Sequence, residues 1–204
     1  MGAVECDDIM KMSDFLCDRQ FALGFAEYFI AKMHTGECCF YGERNDGTYK
    51  LFFDTVELLV KQMPLPAAIA CYIMLLTGCR HGEIKTISVL LNGDNSKVFI
   101  RCPKQDVTRE ITTGRDLAMG IILLVEYITS AGLSSRGEIS RYVQHNHFKL
   151  YNKLKPRHLC AAHAFRHLHI SVALKCSGAV PARVSKQFKW STIELLDTYS
   201  ALMK

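Results

Sequence analysis

The sequence predicts an α+β protein, mostly helical, with one small antiparallel sheet. Three observations lead there. Apolar residues recur at helical spacing over most of the chain. One stretch, "ISVLLNGDNSKVFIRCPKQDVTREITT" at 87–113, is instead rich in Val, Ile and Thr around the turn "NGDN". At 204 residues, with 49% apolar and 22% charged, the chain can build one or two small domains around a real core.

The elements follow in order. Phe15, Leu16, Ala22, Phe25, Phe29 and Ile30 fall on one face of a helix over 14–34. "HTGECCFYGERNDGTY" reads as a loop, with turn signals at "NDG". Residues 51–63 read as a helix stopped by Pro64 and Pro66; a strongly apolar helix follows at 67–76 and a short one at 81–87. Two or three strands come next. The chain then turns helical again over about 115–131, 138–154 and 160–176, with a short helix opened by Pro181 and a last one from Thr192. Residues 1–48 form a short acidic helical segment, and 49–204 the main domain.

Charge and cysteine bound the partners. Residues 1–63 carry six Lys/Arg against eleven Asp/Glu, a net −5, and residues 64–204 carry nineteen against nine, a net +10. That basic excess suggests a polyanionic partner. The nine cysteines are scattered without a CxxC pair, as expected of reduced thiols inside a cell. The opening "MGAVECDDIM" is acidic and does not read as a signal peptide, and no apolar run reaches a membrane span. The expected location is intracellular, in cytoplasm or host nucleus, not secreted.

Four stretches could carry chemistry. In "LLTGCRHGEI" an apolar helix ends at Thr77-Gly78 and Arg80 follows, with Glu83 placed to hold its guanidinium; alone, the pair also reads as a surface ion pair. Lys104 falls near a turn between two strands, either as a solvated hairpin lysine or as an ammonium able to donate a proton. "HAFRHLH" puts His163 and Arg166 three apart on a helix, suited together to a phosphate. His163 and His167 alone are too few ligands for zinc, so no metal is expected. "FKWSTIELLDTYSALMK" holds Trp190 and Tyr199, each of which could equally be an ordinary packing residue.

Taken in order, Arg80, Lys104, His163-x-x-Arg166, Trp190 and Tyr199 resemble the tyrosine recombinase (phage-type integrase) family. "LLTGCRHGEI" is similar to its first arginine box, T-G-x-R-x-x-E, and "HAFRH" to its H-x-L-R-H box with Phe165 for leucine. Lys104 matches its hairpin lysine, and Trp190 precedes Tyr199 by the family's nine residues. The resemblance covers roughly 50–204. "FKW" replaces the usual "L-G-H", and a core-binding domain is missing or reduced to the acidic N-terminal segment.

The resemblance implies the family's catalytic-domain fold, that of the DNA breaking–rejoining enzymes. It implies a site-specific DNA recombinase or integrase working through a 3′-phosphotyrosyl link. Tyr199 would be the nucleophile, Arg80 and Arg166 the charge-neutralising pair, Lys104 the proton donor and His163 the acceptor. Trp190 would donate to a phosphate oxygen, Glu83 would orient Arg80, and His167 would pack or hydrogen-bond beneath. No cofactor or metal is implied. The partners are double-stranded DNA and other copies of the chain, without a membrane. Arg136, Arg141, Lys149, Lys153, Lys155 and Arg157, interleaved with Tyr142, Phe148 and Tyr151, read as a DNA-binding helix or as a solvated charged one. A type IB topoisomerase-like relaxing enzyme, and a DNA-binding structural or regulatory relative without strand exchange, are the alternatives.

Overall fold

The computed structural model describes residues 63–146, 161–163, 165–170 and 188. Of the helices expected at 14–34, at 51–63, from Pro181 and from Thr192, only Met63 and Phe188 fall among these residues, and the division at residue 48 lies outside them.

Helix α1, Leu65–Thr77, is the centre of the core. Pro64 caps it and Pro66 sits in its first turn, where a missing N–H removes nothing the helix would use. It therefore starts at Leu65, two residues earlier than the prolines suggested. Every residue from Ala67 to Thr77 is buried. Such a helix has no solvent face and must be covered on all sides. It stops at Gly78 in the left-handed conformation (φ 61°), whose N–H donates to the Met74 carbonyl. The Thr77 hydroxyl donates to Ile73 O at 2.7 Å and accepts from Cys79 N at 3.2 Å, tightening the same end.

The segment expected as a short helix at 81–87 is a 310 turn, His81–Thr86. It leads into an antiparallel meander of β1 (Ile87–Leu90), β2 (Ser96–Cys102) and β3 (Val107–Thr113), in the order β1-β2-β3. In β2, Ser96, Val98, Ile100 and Cys102 face inward, and in β3 Arg109, Ile111 and Thr113 do so. Ile100 pairs with Arg109 and Val98 with Ile111. The β2–β3 turn is built on Pro103: Gln105 N donates to Cys102 O at 3.0 Å, and Asp106 closes the loop with φ 48°.

Helix α2, Arg115–Ala131, lays Leu117, Ala118, Ile121, Leu124 and Ile128 against α1 and the sheet. Helix α3, Arg136–Asn146, begins two residues before the predicted 138. A reciprocal cap explains this: Ser135 N donates to Glu138 Oε2 at 2.7 Å, and Glu138 N to Ser135 Oγ at 3.1 Å. Helix α3 packs on α1 and on a second 310 turn, Ala161–His163, after which 165–170 are helical. His163 thus closes a tight turn ahead of the helix, a correction to the single helix expected over 160–176. The small sheet among helices is the α+β architecture expected. Among the described residues no helix is long and apolar enough to cross a membrane.

Candidate functional site

The site assembles at the C-terminal end of α1. Helix-end carbonyls have no partner within the helix, and here two of them are taken by arginines. Arg166 Nη1 donates to Gly78 O at 2.5 Å, and Arg109 Nη1 donates to Thr77 O at 3.3 Å. The chain between these carbonyls and Arg80 is only one residue long. Arg80 therefore emerges extended (φ −79°, ψ 155°) directly beside Arg166.

Glu83 ties the two arginines together. Its Oε1 lies 2.6 Å from Arg80 Nη1, its Oε2 accepts the Arg80 backbone N–H at 2.8 Å, and Oε2 stands 3.8 Å from Arg166 Nη1. Sequence reasoning assigned Glu83 to Arg80 alone; that it also faces Arg166 is a tertiary fact. Burial by itself would push the Glu83 carboxyl up. The N–H and guanidinium of Arg80, with the Arg166 charge, outweigh that and hold it below its usual range. The surface ion pair considered for Arg80 and Glu83 is thus corrected: the carboxylate is buried and shared.

The two arginines differ in access. The Arg80 side chain is 28% exposed, whereas that of Arg166 is 1% exposed. His163 is half-buried at the rim. Burial, then the charges of Arg166, Arg80 and Arg136, lower its pKa to about 4, so its ring is neutral at pH 7. Arg136 is exposed in the first turn of α3 and adds to the positive field over the site. Arg141 is also exposed on α3.

His167 is buried beside His163. Its ring meets that of His163 edge-on, with centroids 5.4 Å apart, and burial lowers its pKa to about 3. Among the described residues no three His, Cys, Asp or Glu side chains converge as a metal would require. His169 turns to the opposite side and packs on α1, its Nδ1–H donating to Leu75 O at 2.7 Å. Its ring and Phe188 close over Gly78: a Cβ there would stand 2.5 Å from His169 Cδ2 and 2.9 Å from Phe188 Cζ. Gly78 is therefore required twice, for its positive φ and for this approach.

Lys104 sits exposed at the tip of the β2–β3 hairpin, as the sequence suggested. The structure brings Arg80, Glu83, His163, Arg166 and His167 together and leaves Lys104 on a projecting loop. Trp190, Tyr199, Lys149, Lys153, Lys155 and Arg157 lie outside the described residues. Sequence reasoning missed Arg109 and Phe188. The signal for Arg109 was present: it shares the period-two inward face of β3 with Ile111. Phe188 had no comparable signal.

No family model matches the chain, and no curated protein or solved structure is significantly similar to it.

Proposed function

We propose that the chain is a metal-independent DNA strand transferase, a site-specific recombinase or integrase of tyrosine-recombinase type with that family's catalytic-domain fold. The observation that carries this reading is convergence. Two arginine boxes 86 positions apart meet at one carboxylate, Arg80 at 2.6 Å and Arg166 at 3.8 Å from Glu83, with a neutral imidazole at the rim.

The chemistry suits a phosphodiester. Attack by the Tyr199 oxygen on phosphorus forms the phosphotyrosyl bond to the 3′ side and breaks the bond to the 5′ oxygen. Negative charge builds on the non-bridging oxygens, where Arg80 and Arg166 act from fixed positions; one such preorganised donor is typically worth ~3 kcal/mol. His163, neutral at pH 7, has a lone pair for the phenolic proton. A bound phosphate offsets the arginine charges and makes that nitrogen more basic. Lys104 supplies the proton to the departing 5′ oxygen, and Trp190 donates its indole N–H to a phosphate oxygen. Arg136, Arg141 and the basic residues to Arg157 grip the duplex backbone, so binding weakens steeply with salt. Copies of the chain pair on the DNA for strand exchange.

One observation favours a second reading. Arg166 is 1% exposed with a nitrogen committed to Gly78 O, as suits a DNA-binding relative that keeps the arginine centre as structure. A nicked suicide DNA substrate separates the two. A covalent protein–DNA adduct that disappears in Tyr199→Phe supports strand transfer. DNA binding by the folded protein without any adduct, across a library of candidate sites, sinks it.

A further inference from the structure

The least expected side chain in the described core is Arg109. It occupies an inward position of β3, opposite Ile100 and two residues from Ile111, and is 1% exposed. Among the described residues it has no carboxylate partner, and its Nε and Nη2 find no hydrogen bond. Its one donated bond among the described residues is the 3.3 Å contact to Thr77 O. The guanidinium carbon stands 4.7 Å from the Phe188 ring centroid, and that of Arg166 stands 4.9 Å from the same ring. Two like charges thus share one aromatic ring, beside consecutive carbonyls of one helix end.

Such an arrangement is a poor stabiliser. A buried cation without a counter-ion is less favourable than an apolar side chain of similar volume. Methionine at 109 would fill the space and remove the charge. What methionine lacks is a donor for the Thr77 carbonyl and a positive charge beside Arg166. Those two properties act on the end of α1 and on the net charge facing a ligand.

We propose that Arg109 is a positioning residue for an oxyanion bound at Arg80 and Arg166. It holds the Thr77 carbonyl while Arg166 holds that of Gly78, and Phe188 stacks against both guanidinium groups. The rim residue Arg80 then leaves the helix end in one direction. Arg109 acts through its neighbours: it holds the helix end and adds positive charge, while Arg80, 28% exposed, makes the direct contact. The proposal rests on the phosphate reading of this centre but not on strand transfer.

The test uses the full chain and inorganic phosphate as the probe. Arg109→Met should melt at or above the wild-type temperature, yet bind phosphate at least ten-fold more weakly. Arg109→Lys, which retains charge and a donor, should lose only part of that affinity. Arg80→Ala should abolish binding and so locate the phosphate. The proposal is overturned if folded Arg109→Met binds phosphate like the wild type, if the wild type binds none, or if binding ignores Arg80→Ala. Should Arg109→Met fail to fold, Arg109→Lys decides: unchanged affinity overturns the idea, and a several-fold loss supports it. Failure of the adduct assay with phosphate binding intact removes strand transfer alone.

Discussion

The end of α1 and the tip of the β2–β3 hairpin each carry cations of the candidate site, and they hold them in opposite ways. At the helix end, Arg166 is buried, its Nη1 is held by Gly78 O and faces Glu83, and its surroundings leave no room for one added methyl at Gly78. At the hairpin tip, Lys104 is exposed, and the nearest ion pair, Arg101 to Asp106, is 3.9 Å long between side chains 69% and 92% exposed. Such a pair contributes little to stability. The comparison teaches a division of labour. On the proposed reading, the charge that meets a developing negative charge is built into the core, where geometry is overdetermined. On the same reading, the charge that reaches in and gives up a proton stands on a loop.

That contrast can be broken by mutation, taken here from the largest effect on folding to the smallest. Glu83→Ala removes the carboxylate that, among the described residues, faces both Arg80 and Arg166. It should cost about 3–5 kcal/mol, read as a drop in the urea midpoint; a loss under about 1 kcal/mol means that Glu83 is not the keystone of the helix end. Gly78→Ala meets both a positive φ and the His169 and Phe188 rings, and should cost about 2 kcal/mol or more by the same measurement.

Acid should act on the buried imidazoles. His163, His167 and His169 have native pKa values of about 4, 3 and 3, against the usual 6.5. Burial is the main cause for each. Below 6.5 the unfolded chain binds protons that the native chain does not, so stability is full above 6.5 and falls as pH drops towards 4. The depressed Glu83 carboxyl adds a loss in the same direction below about 4.5. The urea midpoint should hold between pH 8 and 7 and decline steadily from 6.5 to 5. A flat profile over that range contradicts neutral, buried imidazoles.

Lys104→Ala should have the smallest effect on folding, with no measurable change in melting temperature, because the side chain is exposed at a turn. If it is the proton donor, adduct formation on the nicked substrate should nonetheless fall by about 10²-fold or more. Unchanged cleavage would return Lys104 to an ordinary hairpin lysine.

How much could be read in advance depended on the range of each interaction. Helix α1, the sheet and α2 followed from local pattern, because hydrophobic period and turn residues act within a few positions. The left-handed stop at Gly78 and the Arg80–Glu83 pairing were legible for the same reason, being separated by three residues or fewer. Boundaries moved where caps intervened, at Pro64–Pro66 and at Ser135–Glu138. The sequence by itself therefore determined the α+β architecture, the end of the central helix and the order of the candidate residues. Only the tertiary structure decided that Glu83 serves two arginines, that His169 and Phe188 close over Gly78, and that Arg109 reaches the Thr77 carbonyl. Those contacts join residues 32 to 110 positions apart, and their energies depend on burial and facing charge, which no local spacing encodes.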